Sequence, residues 1–366
     1  MRDLLGRSLV VRGREAILAY ATVLEELCRL NDQLGEADNL GHFLTTPAAL
    51  RKKPCLVLLK PEPQDACPTV QGFVGALLLF EYAVYGVGLK IYASSDFSGR
   101  RNVLGPEQLR ARFCIEAWSV LRRRGAHIVF VDFQVCGSRD TTSLAIPGML
   151  RKATRGRAQW ALLESIFPMY LRLLPTVDAT LAGIGQKTRA NLRYYKRRAE
   201  RELGCCFVPQ AELDLEEYLA FNRVAAFSVP EAVAAARYAA LQTLKSPWVC
   251  GLRSSDGRWL SIVTGWKRHT ALEIEWQMNR ADLPRYSLAT VMRSYVIEHA
   301  IAEGFERLYI EGGTQQALQN SFERERVLEL TVLRRSLYAR LVQRFARQFF
   351  PADNHLGRIL GSTDLQ

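Results

Sequence analysis

The chain has 366 residues, 48% of them hydrophobic and 23% charged, and its 49 Lys or Arg against 37 Asp or Glu give a net charge of +12. That length exceeds what one ordinary core holds, so two domains are expected, and the composition excludes a long disordered tract. The basic excess favours anionic partners without choosing among nucleic acid, anionic lipid, a nucleotide-bearing cofactor and an acidic carrier protein.

The first twenty residues, MRDLLGRSLVVRGREAILAY, are charged too often for a secretory signal, so the protein is expected in the cytoplasm. A helix is predicted over 14–34 and a strand over 55–60. The run GFVGALLLFEYAVYGVGL at 72–89 approaches membrane-spanning length. Glu81 at its middle and glycines in its second half make it two buried strands joined near 81–85 instead. Pro106 opens and Gly125 closes a helix in which Leu109, Phe113, Ala117 and Leu121 recur at helical spacing. The strand HIVFVDFQ follows at 127–134, and strand, helix, strand implies a crossover with partly parallel pairing. A polar, basic loop over 136–157 and extended structure over 160–175 complete a first domain, 1–175.

The second domain is expected over 176–366. Asp178 reads as a helix cap, and a basic helix runs over 186–203 to Gly204. Its Lys187, Arg189, Arg193, Lys196, Arg197, Arg198 and Arg201 spread around the circumference, leaving Leu192, Tyr195 and Ala199 to pack. This suits a protruding or half-docked arm, either a solvated face or a surface for an acyl carrier protein, a nucleotide or RNA. A short strand, helices over 213–227 and 230–244, and strands over 248–255, 258–268 and 271–279 come next, with Asp256-Gly257 as a turn. A helix over 287–303, a strand over 306–313, a strand over 327–335 and a terminal helix finish the chain. The tail 336–350 puts Leu337, Leu341, Phe345 and Phe349 on one face, for an anionic membrane or for the protein body.

The cysteines form no CxxC pair and the five histidines are scattered, so neither a zinc site nor a Cys–His nucleophile is signalled. In ALEIEWQMN at 271–279, alternation places Leu272, Ile274, Trp276 and Met278 on one face and Glu273, Glu275, Gln277 and Asn279 on the other. Glu273 and Glu275 then lie roughly 6.6 Å apart, on a cleft or on a half-solvated edge strand. The next strand-to-helix junction, residues 280–289, offers backbone amides, the positive end of a helix dipole, Arg280 and Arg285 to an anion, or else a plain turn capped by Ser287.

This element order, with Gln186-Lys187-Thr188-Arg189-Ala190-Asn191-Leu192-Arg193 and the run ALEIEWQMNRADLPRYSLATVMRSYVIEHAIAEGFERLYIEGG at 271–313, resembles the GNAT acyltransferases. More narrowly it resembles the CelD/BcsL-like branch related to Fem-type peptidoglycan-bridge transferases. The resemblance covers about residues 176–315 and implies an α/β fold of tandem GNAT-like domains, the first degenerate. It implies transfer of an acyl group from acyl-CoA, or from the same phosphopantetheine arm on an acyl carrier protein, to an amine or hydroxyl of a small or cell-envelope-related acceptor. Fem-type relatives use aminoacyl-tRNA, and a catalytically silent binding protein is the third alternative. Under this reading Glu275 is the base, Glu311 the second candidate, and Tyr309 the proton donor to a leaving thiolate. Arg280, Arg285, Ser287, Leu288 and Ala289 would bind the cofactor. Glu273, Gln277, Asn279, Lys187, Arg189, Asn191 and Arg193 would bind substrate or partner. No metal is implied. Two departures stand out. The cofactor loop reads Arg285-Tyr286-Ser287-Leu288-Ala289-Thr290 without the family's glycines, and the strand that often ends Asp-Phe-Leu-Arg-Gly ends Leu308-Tyr309-Ile310-Glu311-Gly312.

Overall fold

The computed structural model describes residues 3–5, 8–31, 39–63, 65–94, 103–135, 141–154, 158–310, 317–341 and 344. The chain divides into two compact units: unit 1 comprises Met1–Phe167 and Arg326–Gln366, and unit 2 comprises Pro168–Glu325. In chain order unit 1 holds β1 (Asp3–Leu5), β2 (Ser8–Arg12), α1 (Arg14–Leu18), α2 (Ala21–Leu30), α3 (Leu40–Thr45), α4 (Pro47–Leu50), β3 (Lys53–Leu59), β4 (Gly75–Val84), β5 (Val87–Ser94), β6 (Val103–Leu104), α5 (Glu107–Arg123), β7 (Ile128–Val135) and α6 (Thr141–Thr154). The strand β8 (Ala158–Arg172) runs across the division. Unit 2 continues with α7 (Val177–Ala182), α8 (Gln186–Leu203), β9 (Cys206–Val208), α9 (Leu215–Val224), α10 (Glu231–Leu241), β10 (Pro247–Arg253), β11 (Trp259–Arg268), β12 (Ala271–Asn279), α11 (Leu288–Ala302) and β13 (Arg307–Ile310), before β14 (Glu323–Arg334).

In unit 1 successive strands pair antiparallel from β1 to β5, while β5 and β7 are parallel, with Ile91 opposite Ile128. Helix α5 makes that crossover, and its Phe113, Ala117, Trp118 and Leu121 are fully buried over the sheet. The strand β14 closes against β7 from Arg326 to Leu333. That pairing returns the chain after residue 325 to unit 1, whereas the sequence carried the second domain from 176 to the end. Three local expectations also change. The single helix over 14–34 is broken into α1 and α2. The hairpin turns at Tyr85-Gly86, leaving Glu81 inside β4. Helix α6 occupies much of the stretch expected to be a loop.

Unit 2 repeats the scheme. Its strands β9, β10, β11 and β12 pair antiparallel in that order, and β12 pairs in parallel with β13 through α11. Residues 170–172 of β8 then pair with β13. One sheet face packs on α8 and α11 through Leu192, Ala199, Leu272, Ile274, Val291 and Val296. The opposite face packs on α9 and α10 through Tyr218, Phe221, Ala234, Ile262 and Met278. The cap of α7 is Thr176, whose hydroxyl accepts from the Ala179 amide at 3.2 Å, and the Asp178 carboxylate accepts from Arg193 instead. Gly204 ends α8 in the left-handed conformation that an unbranched Cα takes without strain.

Candidate functional site

The site is organised by an irregularity in β12. Across the β11–β12 ladder Thr264 pairs with Trp276 and Gly265 pairs with Ile274, so Glu275 is one extra residue inserted into β12 between the two pairs. Such a bulge bends the strand and re-aims the side chains after it. Leu272 and Ile274, before the bulge, join the core with α11. Met278, beyond it, packs on the other face with Tyr218, Phe221 and Ile262. The uniform alternation expected for 271–279 therefore fails. Glu273, Glu275, Gln277 and Asn279 do not share a face, because one inserted residue reverses the period-two pattern.

Each of the four has its own surroundings. Glu273 is completely buried and ion-paired with Arg268, itself stacked over the Tyr309 ring at 5.3 Å. It supports the sheet rather than lining an open cleft. Tyr309, paired in register with Glu273, is 6% exposed and lies 5.2 Å from the Tyr170 ring. Gln277 turns toward α11, its Nε2 donating to the Ala289 carbonyl at 3.5 Å and to Asn279 Oδ1 at 3.2 Å. Asn279 Oδ1 also accepts from the buried Ser261 hydroxyl at 2.8 Å. Glu275, half-buried, lies on the α9–α10 side, and Trp276 beside it stacks under the Arg237 guanidinium at 5.2 Å. Burial pushes the neighbouring Tyr218 hydroxyl up to about 12, with Arg237 opposing and Glu275 adding to the shift. Glu311 lies outside the described residues.

At the junction between β12 and α11 the Ser287 side chain makes no cap bond to the first turn of α11, and the Thr290 amide donates to the Ser287 carbonyl at 2.7 Å, so the leading amides of the helix are those of Leu288 and Ala289. Ser287 does not play the capping role. Its φ of 47° places it in the left-handed region, and its hydroxyl sits 2.8 Å from that of Thr290. The left-handed conformation that glycine adopts freely is taken here by a residue with a Cβ, at a cost of about 1 kcal/mol. Arg285 is exposed beside this turn, donating to the Tyr286 hydroxyl at 2.7 Å. From α8, Arg198 stacks over Tyr286 at 5.2 Å and donates to the Arg285 carbonyl at 3.3 Å, while its Nε pairs with Glu202 at 3.2 Å. Arg280 is committed elsewhere, through a two-pronged pair with Asp282 at 2.9 and 2.7 Å that holds the Asp282 carboxyl below its usual range.

Helix α8 is docked rather than protruding. Leu192 and Ala199 are buried, Lys196 pairs with Glu298 of α11, and the Tyr295 hydroxyl donates to Glu200 at 2.6 Å. Lys187, Asn191, Arg193 and Arg197 remain exposed, and Arg189 donates to the Leu181 carbonyl at 3.4 Å. On the opposite sheet face a cavity of about 650 Å³ is lined by Leu213, Glu217, Tyr218, Tyr238, Val249 and Thr264. Among the described residues the buried Tyr218 hydroxyl has no hydrogen-bond partner. His299 is half-buried, stacked on Trp248 at 5.7 Å. No group of residues among those described could hold a metal ion.

Sequence reasoning missed three contributors. Arg198 was counted in the basic helix but not placed at the junction, because only tertiary packing brings α8 to α11. Tyr218 carried no motif. The bulge did carry a signal, the isolated Gly265 inside an otherwise β-branched and aromatic strand.

No protein-family model matches the chain, and no curated protein matches it. Solved structures do. FemX aligns over 78% of this chain and 90% of its own at 9% identity, with a TM-score of 0.51. A tandem GNAT protein from the clavulanic acid biosynthesis pathway aligns over 88% and 98% at 11% identity, TM-score 0.50. The C-terminal domain of a candidate lysylphosphatidylglycerol synthetase from Agrobacterium fabrum aligns over 87% and 92% at 13% identity, TM-score 0.50.

Proposed function

We propose, from a chain that has the tandem GNAT-like fold, that unit 2 is an acyltransferase. The observation that supports this best is the start of α11: uncapped amides, an exposed Arg285 and the inward-turned Arg198 converge where a pyrophosphate would sit. The donor is a thioester on a phosphopantetheine arm, in acyl-CoA or on an acyl carrier protein. Its contribution is an activated acyl carbon with a thiolate leaving group.

Glu275 takes a proton from the acceptor amine or hydroxyl, directly or through water, because an ammonium has no lone pair for attack. The acceptor atom bonds to the acyl carbon, the carbon–sulfur bond breaks, and a proton returns to the sulfur, the role assigned to Tyr309. On this reading the acceptor would occupy the cavity beneath α9 and α10, where the Tyr218 hydroxyl can hydrogen-bond it and the exposed Glu212 favours an amine, Asp214 and Glu217 being engaged in the capping box of α9. Its wider identity is a small or cell-envelope-related compound, handled in the cytoplasm.

The test is thermal stabilisation of the purified protein by coenzyme A and by acyl thioesters of increasing chain length. A ligand that binds only the folded state raises its melting temperature. A rise that disappears in Arg285→Ala supports the reading, and no rise with any free or carrier-bound thioester rejects it. A second reading, transfer from aminoacyl-tRNA, is favoured by the exposed Lys187, Tyr194 and Arg197 on α8. It requires tRNA binding that weakens steeply with salt and with Arg197→Glu.

A further inference from the structure

Unit 1 exposes apolar groups that the fold does not require. The β4–β5 hairpin turns at Tyr85 and Gly86, both with positive φ, 47° and 77°. Such a turn is ordinarily closed by Asn-Gly or Gly-Gly, since a bulky side chain is strained there. Here the position is given to a tyrosine that is fully exposed, flanked by Val84 at 51% and Val87 at 67% exposure. None of the three contributes to a core, so folding does not explain them.

The surroundings are predominantly basic. Residues 51–54, 82–90 and 334–341 contain Arg51, Lys52, Lys53, Lys90, Arg334, Arg335 and Arg340 and no acidic residue. They share one end of the unit. Lys52 lies over the Tyr82 ring at 4.9 Å, the Tyr338 hydroxyl donates to the Leu89 carbonyl at 3.2 Å, and the Arg334 amide donates to the His127 carbonyl at 2.8 Å. Through Tyr338 the exposed Leu337 and Leu341 stand on the same end. The nearby Glu81 is buried and spoken for, accepting from the Lys90 amide and pairing with the Lys90 ammonium at 3.5 Å.

Beneath the hairpin lies a pocket of about 290 Å³ lined by Arg12, Arg14, Lys53, Cys55, Glu81 and Lys90. Arg14 donates to the carbonyls of Leu44, Ala49 and Lys52. Arg12 donates through Nη2 to the Tyr92 hydroxyl at 2.8 Å and interacts with the Cys55 thiol, but among the described residues its buried Nε has no hydrogen-bond partner. A pocket with basic side chains at its mouth and an unmet donor inside calls for an anionic acceptor.

We propose that this end of unit 1 docks on an anionic phospholipid surface. Val84, Tyr85 and Val87 enter the interfacial layer, and lipid phosphates sit against Lys53, Lys90 and Arg12. Aromatic and aliphatic groups on a rigid tip gain from leaving water, while the surrounding cations gain from the negative surface potential. No helix among the described residues is long and apolar enough to cross a membrane, so the attachment is peripheral. This proposal is independent of the transferase reading, which stands or falls by thioester binding in unit 2.

The experiment is co-sedimentation of the full chain with vesicles of phosphatidylcholine alone and of phosphatidylcholine mixed with phosphatidylglycerol, at low and high salt. Binding is expected only to the anionic vesicles, weakening with salt as the surface charge is screened. Tyr85→Asp should reduce it by roughly tenfold or more, and Lys53→Glu should do likewise while removing part of the salt dependence. Both positions are exposed, and matching melting curves for the variants and the parent check that folding is intact. Equal binding to neutral vesicles, no binding to either kind, or binding indifferent to both substitutions overturns the proposal. So does a preference for RNA over anionic vesicles, or a self-association that Tyr85→Asp abolishes.

Discussion

Gly265, opposite Ile274 in the β11–β12 ladder, lies so close to Glu273 that a Cβ on Gly265 would sit 1.8 Å from the Glu273 carbonyl oxygen. The obstacle is backbone, which no rotamer change relieves. Gly265→Ala should therefore cost roughly 2–4 kcal/mol and lower the melting temperature by several degrees. Thermal denaturation checks this, and an unchanged melting temperature would contradict the close packing beside the bulge.

Glu275→Gln keeps the shape of the bulged residue and removes its basicity. Turnover should fall by about 10²- to 10⁴-fold with stability and donor binding preserved. Loss of donor binding in parallel would instead assign Glu275 a part in recognising the thioester arm.

Arg285 and Arg280 were equal candidates for pyrophosphate binding and should now separate. Arg285→Ala should weaken coenzyme A binding by about 1–3 kcal/mol, the strength of one charged hydrogen-bonding contact. Arg280→Ala should have a much smaller effect, because Arg280 is already neutralised by Asp282. Calorimetric titration of both variants distinguishes them, and equal losses would place the anion nearer Arg280 than the geometry of α11 implies.

Stability should depend on pH through His299. Burial holds its pKa below the ordinary 6.5, with Glu303 opposing and Lys267 assisting, and among the described residues its buried Nε2 has no hydrogen-bond partner. A depressed folded-state pKa means that the unfolded chain binds the proton more readily. The stability is thus complete above the unfolded pKa and lost as pH falls toward the folded one. His127 in unit 1 is shifted the same way by burial and by Arg334. Melting temperatures between about pH 7.5 and 5.5 should decline, and His299→Phe, which retains the stack on Trp248, should flatten the unit 2 part of the decline.

Much of the fold was legible because local chemistry marked it. Gly125, Gly204 and Gly304, each at positive φ, stop helices where the sequence placed those stops. Alternating apolar residues located β10, β11 and β12 within a few positions. What escaped is equally specific. Asp178 looked like a cap, yet Thr176 performs that task while Asp178 meets Arg193 a helix away. The hairpin turn was set too early, since Glu81 reads as a polar interruption but is tolerated inside β4 by the Lys90 amide and ammonium.

The sequence by itself determined the order of elements from α8 to β14, the crossover units, the basic character of α8 and the candidate junction between β12 and α11. These follow from residue spacing, caps and charge, which act over a few positions along the chain. Only the tertiary structure decided which face each polar residue of β12 presents, because a bulge depends on the register of a neighbouring strand. It alone turned Arg198 toward the start of α11 and Arg280 toward Asp282, and it returned β14 to unit 1. Those outcomes depend on contacts between residues far apart in sequence, where packing and ion pairing choose among arrangements that the local pattern leaves equivalent.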